Sequence, residues 1–171
     1  MTTTYVHTIA SPVGALTLLS DGAALTGLYM PASKGSPGNG AELRRDPAPF
    51  AQAVEQLDAY FAGARTAFGL RLAAAGTDFQ QRVWSALREI PYGHTRSYGD
   101  IAQSIGAPNA MRAVGLANGR NPISIIVPCH RVVGADGSLT GYGGGLHNKQ
   151  LLLDLERSVS GEQTLLTPLG V

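Results

Sequence analysis

Apolar residues alternate with polar ones near the start of the chain and shift to helical spacing after residue 50, which predicts a strand-rich opening and a helix-rich remainder. Residues 5–9, 16–19 and 25–29 are short β-prone runs. Ser11-Pro12-Val13-Gly14 precedes the second run and Asp21-Gly22 the third. Turns that close together predict antiparallel hairpins. Residues 31–49 are rich in Pro, Gly, Ser and charge and read as a loop. Phe50, Val54, Leu57 and Phe61 predict a helix over 50–62, stopped by Gly63. Phe68, Leu70 and Leu72 alternate as one more strand would, and Ala73-Ala74-Ala75-Gly76 reads as a linker.

The second half opens with Thr77 and Gln80 at capping-box spacing, ahead of Phe79, Val83, Leu87 and Ile90 at helical intervals. Pro91-Tyr92-Gly93 ends that helix. Ser97 and Asp100 repeat the cap spacing, and Tyr98, Ile101, Ala102 and Ile105 share one face of the next helix. After the turn Gly106-Ala107-Pro108, Asn109 is placed to cap a third helix, about 110–118. Small residues dominate that helix (Ala110, Ala113, Gly115, Ala117), with one long basic side chain, Arg112. Two short helices joined by a tight glycine-containing turn make a helix-turn-helix candidate. A core helix packed on a neighbour has the same pattern.

Composition narrows the class. At 171 residues with 44% hydrophobic content, the chain suffices for one ordinary domain or two small ones. Charged residues at 15% and a net charge of +1 exclude a disordered chain and a bulk polycation. Charge is nonetheless uneven. Between residues 82 and 131, Arg82, Arg88, Arg96, Arg112, Arg120 and Arg131 face only Glu89 and Asp100. Such a face fits modest phosphate contact, although solvated arginines give the same count. The single cysteine rules out an internal disulfide and a Cys-rich zinc site. Residues 1–20 lack the basic flank and apolar run of a signal peptide, and no stretch approaches ~20 apolar residues, so the expected setting is soluble, reducing and cytoplasmic.

Residues 123–133 carry the candidate chemistry. They open as a β-branched apolar run that reads as a buried strand, broken by Pro128, which cannot donate to a ladder. Cys129 follows at once, then His130 and Arg131. A lone cysteine in an apolar strand is most often an inert small hydrophobe. Here the strand is interrupted at the thiol, and cationic neighbours of the kind that lower a thiol pKa come next. The expectation is an ionised, nucleophilic sulfur. On a regular strand Cys129 and His130 point to opposite faces, so a bend or a water has to link them. Further on, Gly134-Ala135-Asp136-Gly137 is a turn, and Gly141-Tyr142-Gly143-Gly144-Gly145 lacks the Lys-Ser/Thr ending of a P-loop. That stretch suits a wall that brings backbone close to a ligand. Residues 151–156 form a helix whose Glu156 is a candidate histidine partner.

Pro128-Cys129-His130-Arg131-Val132 resembles the active-site signature of the O6-alkylguanine-DNA alkyltransferases, also called methylated-DNA–protein-cysteine methyltransferases. Ser97-Tyr98, Arg112-Ala113-Val114-Gly115, Asn121-Pro122, Tyr142-Gly143-Gly144-Gly145, Lys149 and Glu156 follow in the family's order and approximate spacing. The likeness is strong over 77–157 and holds only in outline before that. It implies an N-terminal ribonuclease-H-like α/β domain with its linker (1–76), a mainly α C-terminal domain with a winged helix-turn-helix (77–157), and a tail (158–171). It implies that Cys129 accepts an alkyl group from O6-alkylguanine in double-stranded DNA, once, with no metal and no cofactor. His130 would take the thiol proton through a water, with Glu156 holding the imidazole. Tyr98 would donate towards guanine N3, with Lys149 assisting and Asn121 acting as a hinge. Arg112 would fill the gap left by the flipped nucleotide, and Ala110, Ala113 and Gly115 would let the helix approach the minor groove. Val132, Tyr142, Gly143 and Gly144 would wall the base pocket.

The resemblance also implies a monomer, with cooperative assembly along DNA, O4-alkylthymine as a substrate and the range of alkyl groups left open. The chain has no second cysteine for the N-terminal zinc site of some members, and no cysteine-rich activation domain precedes it, so a sensor-regulator role is not expected. Three other readings compete: a non-catalytic lesion binder of the same winged-helix fold, a winged-helix transcription factor, and a Cys-His hydrolase.

Overall fold

β1 (Thr3–Ile9) and β2 (Leu16–Ser20) form an antiparallel hairpin in which Tyr5 faces Ser20 and Ile9 faces Leu16. β3 (Leu25–Tyr29) returns along β2 after a turn in which Asp21 Oδ1 accepts from the amides of Ala23 and Ala24. The computed structural model describes residues 3–31, 33 and 42–166, with side chains to 161. Part of the expected 31–49 loop therefore lies outside the described residues. Within it, Glu42–Arg45 is a strand, β4, which runs parallel to β1 and completes a sheet of order β3-β2-β1-β4. All four of its residues are exposed, so it carries no apolar alternation to betray it. α1 (Ala51–Phe61) follows a 3-10 turn and buries Ala53, Leu57 and Tyr60. The strand expected over 68–72 reduces to one bridge, Leu25 to Leu72.

α2 (Asp78–Arg88) and α3 (Tyr98–Ser104) begin at the two expected capping boxes, Thr77 with Gln80 and Ser97 with Asp100, each closed in both directions. β5 (Arg96–Ser97) leads into α3 and pairs in parallel with β6 (Val132–Val133). α4 (Met111–Gly119) starts without a side-chain cap, because the residue at its N-cap is Ala110 and not Asn109. It packs on α2 through Trp84, whose indole Nε1 donates to the Ala117 carbonyl at 2.9 Å. α5 (Leu146–Leu166) is longer than the expected 151–156 helix and runs past residue 157. Among the described residues, no helix is long and apolar enough to cross a membrane.

The main departure is the reactive segment, which is not a strand. Residues 122–124 lie along β3, where Leu28 N donates to Pro122 O and Ser124 N to Leu28 O. Pairing ends there. Ile125 takes φ +73°, and Ile126 N bonds back to Ser124 O, closing a γ-turn. A β-branched residue in the left-handed region costs roughly 1–3 kcal/mol. Ile125 is only 1% exposed, so burial of its side chain offsets that cost. One continuous core joins Leu16, Leu18 and Leu28 of the sheet to Val83, Ile123, Ile125 and Leu152 of the helical half. The reactive turn is thus clamped between the two halves.

Candidate active site and nucleic-acid interface

Pro128 centres a second, inverse γ-turn: its φ of −82° and ψ of 65° let Cys129 N bond to Val127 O at 2.8 Å. Proline's fixed φ suits that turn. A 3-10 turn over Cys129–Arg131 follows. Three residues per turn fan the side chains in three directions, which replaces the opposite-face geometry of a strand. Asn121 braces the bend, its Nδ2 donating to Val127 O at 2.8 Å and its Oδ1 accepting from Ile123 N. Asn118 Nδ2 reaches the Cys129 carbonyl at 3.5 Å.

His130 and Arg131 both turn to Glu156 of α5. Glu156 Oε2 lies 2.7 Å from His130 Nε2, and Arg131 reaches Oε1 through Nε at 2.8 Å and Oε2 through Nη2 at 3.1 Å. Tyr60 of α1 donates to Oε2 at 2.7 Å, and the Gly93 amide donates to Oε1 at 3.2 Å. His130 and Glu156 are fully buried. Arg131 is buried as well, its Nη1 donating to Ile90 O and its guanidinium lying 5.6 Å from the Tyr92 ring centre. Counting it with the phosphate-facing arginines is therefore corrected: its charge is spent inside.

The electrostatics follow from burial and these pairings. Burial alone pushes the Glu156 carboxyl up, but the hydrogen bond from His130, then the hydrogen bonds and charge of Arg131, outweigh it and hold it well below the usual carboxylate range. Burial holds the His130 imidazole below its ordinary value, against the pull of Glu156, and Arg131 and Lys149 add to the depression. The imidazole is neutral at neutral pH, so Arg131 is the permanent cation of the set. With Nε2–H turned to a carboxylate, Nδ1 is left as an unprotonated base, and this buried atom has no hydrogen-bond partner among the described residues. Burial raises the Cys129 thiol above its ordinary value, although Asn121, the Lys149 charge and Tyr142 pull the other way. The expectation of an ionised resting thiolate is corrected accordingly. The sulfur rests as a thiol, and its proton has to leave as it attacks.

Cys129 is 4% exposed and opens on a cavity of about 630 Å³. That lies within the roughly 300–1,000 Å³ of small-molecule sites. Asn121, Ser124, Tyr142, Gly143 and Gly144 share its lining, and Tyr29 and Ser33 close it from the sheet side. Glycine at 144 leaves room for the Met30 sulfur and the Tyr142 ring, which a Cβ there would force to shift. Lys149 is fully buried, donating to Val132 O at 2.6 Å, with Nζ 5.8 Å from the Tyr142 ring centre. Val132 is fully buried too and does not line the cavity by side chain. Tyr98 does not line it either: its hydroxyl shares a 2.7 Å hydrogen bond with Thr140 Oγ1.

The exposed face of α4 lies apart from the cavity, which Asn118 and Gly119 at the end of that helix reach. Arg112 and Ala113 are exposed and Ala110 and Gly115 half-buried, while Val114, Ala117 and Asn118 face the core. Sequence reasoning missed Tyr60 as a site residue and did not place Arg131 at Glu156. Tyr60 falls on a helical apolar face where any core tyrosine has the same signature.

Two family models match the chain. Residues 4–74 match the 6-O-methylguanine DNA methyltransferase ribonuclease-like domain, and residues 78–158 match the DNA-binding domain of the same name. A Mycobacterium bovis methylated-DNA–protein-cysteine methyltransferase is 59% identical over 154 residues, 90% of this chain and 93% of that one. A Methanosarcina barkeri protein of the same name is 51% identical over 154 residues, 90% of this chain and 98% of its own. The Mycobacterium tuberculosis OGT, solved in complex with DNA, superposes with a TM-score of 0.85 at 58% identity, covering 91% of this chain and 94% of that one.

Proposed function

The chain belongs to the 6-O-methylguanine DNA methyltransferase family, and from that membership we propose that it repairs alkylated DNA by moving the alkyl group of O6-alkylguanine onto Cys129. The observation that carries the reading is the cavity ending at the one cysteine, with a carboxylate-held imidazole in the next residue.

The chemistry follows from these groups. An alkyl carbon at O6 lies within the duplex, so the nucleotide swings out into the cavity. The sulfur lone pair attacks that carbon, an S–C bond forms, and the O6–C bonding pair returns to the purine. The thiol proton passes to His130 Nδ1 by way of a water, with the Glu156 carboxylate stabilising the imidazolium and Arg131 holding that carboxylate ionised and in place. Tyr98 leaves Thr140 to protonate the departing base at N3, and Lys149 steadies the wall at Tyr142. The thioether product has no leaving group that water displaces readily, so each chain reacts once. Asn121 ties α4 to the reactive turn. Arg112 occupies the gap in the stack, and Ala110, Ala113 and Gly115 give α4 a close approach to the minor groove. Residues 1–76 back the cavity and residues 77–157 carry DNA contact and transfer. The protein acts as a monomer in the reducing cytoplasm, which keeps its thiol free.

Incubation with duplex DNA containing O6-methylguanine, followed by peptide mass analysis, tests the reading. A gain of ~14 Da on the Cys129 peptide, one methyl for one hydrogen, is expected. Unmodified protein that still binds the lesion would instead make it a lesion binder.

A further inference from the structure

Tyr60 belongs to the N-terminal half, which the sequence pattern left without chemistry, yet its hydroxyl ends on the carboxylate that holds His130. We propose that Tyr60 is a positioning residue for alkyl transfer: its O–H competes with His130 Nε2–H for one oxygen of Glu156 and so sets how strongly His130 takes up the thiol proton. This inference rests on the reading of Cys129 as the alkyl acceptor.

The geometry makes the competition concrete. Tyr60 Oη and His130 Nε2 both stand 2.7 Å from Oε2, and Arg131 Nη2 reaches the same oxygen at 3.1 Å. Three donors converge on an oxygen with two lone pairs, so each weakens the others. Removing the phenolic donor concentrates negative charge on the bond to His130, which favours the imidazolium. The other groups facing this pair are Arg131 of the reactive turn, Tyr92 and the Gly93 amide of the loop after α2, Tyr142 of the glycine-rich stretch, and Lys149 of α5. A Tyr60→Phe change alters none of them.

A purely structural Tyr60 makes a different forecast. Its ring packs against Phe61, Phe68 and Tyr92, with ring centres 5.2, 5.4 and 6.1 Å away. Phenylalanine keeps all of these contacts. If packing were the whole role, the variant would keep the wild-type pH dependence.

The test is the second-order rate of methyl transfer from O6-methylguanine duplex as a function of pH, in the full chain. Transfer needs neutral His130, so the rate falls as pH drops through the histidine pKa. Tyr60→Phe should move that acid limb upward by about half to one pH unit. Below the limb the variant should be about three- to tenfold slower than wild type, and above it no slower. Difluorotyrosine placed at position 60 is a stronger donor and should move the limb the other way, which keeps the idea testable if the phenylalanine variant folds poorly. Superimposable acid limbs in either variant overturn the assignment of Tyr60. Absence of transfer by the wild-type chain overturns the underlying reading instead.

Discussion

Replacing Glu156 with glutamine keeps the side-chain volume and removes one charge from a fully buried site. In the native chain that carboxylate accepts from His130, Tyr60, Gly93 and twice from Arg131. The amide offers one acceptor oxygen and turns an NH2 towards donors. The Arg131 guanidinium, with a side chain 8% exposed, then loses its counter-charge. Breaking a buried pair by removing one partner costs about 3–5 kcal/mol. Against a total stability of roughly 5–15 kcal/mol, that is a large fraction. The sign of the pH dependence follows from linkage. The folded Glu156 pKa is depressed, so the stability it contributes is present above its unfolded value, about 4.3, and is lost as pH falls towards the folded value. Urea unfolding of wild type and Glu156→Gln should therefore differ by about 3–5 kcal/mol at pH 7, and the gap should narrow towards pH 3. A gap below about 1 kcal/mol at pH 7, the range of an exposed pair, would refute the reasoning. So would a gap that stays constant down to pH 3.

Arg112→Ala leaves the gap in the stack unfilled and should slow methyl transfer more than it weakens binding to undamaged duplex, read by single-turnover transfer and fluorescence anisotropy; equal losses in the two would remove Arg112 from the gap. Gly144→Ala should slow transfer and destabilise the fold by about 1–3 kcal/mol, because the new Cβ meets Met30 and the Tyr142 ring, and its cost should be smaller in a Met30→Ala background than in the wild type, read by thermal unfolding of the double-mutant cycle. Lys149→Met should raise the Cys129 thiol pKa further, seen as slower alkylation by a small haloacetamide at fixed pH; an unchanged rate would show that the ammonium does not act on the sulfur.

Local signals were legible in the sequence and non-local ones were not. Thr77 with Gln80 and Ser97 with Asp100 are three residues apart, and each pair closes its own capping box whatever surrounds it. The β-branched run after Ile123 looked like a strand because its composition is strand-like. A strand also needs a partner along its length, and β3 supplies one only as far as Ser124. β4 was hidden for the opposite reason, as a charged edge strand exposed on both faces. Arginine is usually exposed, and nothing local in the sequence marks Arg131 as buried. Its partner stands 25 positions on, and Tyr60 meets the same carboxylate across 96 positions. Cys129, His130 and Glu156 were legible through a family's motif, whereas the cation and phenol that tune them were legible only in three dimensions.

Titrating the protein with an excess of duplex carrying a labelled methyl at guanine O6, and counting label retained on the chain, tests the central claim most directly. Uptake should plateau at one methyl per chain, all of it on the peptide containing Cys129, and Cys129→Ser should retain none while still binding the duplex. Continued turnover beyond one equivalent, or label lodged on any other residue, would contradict the account.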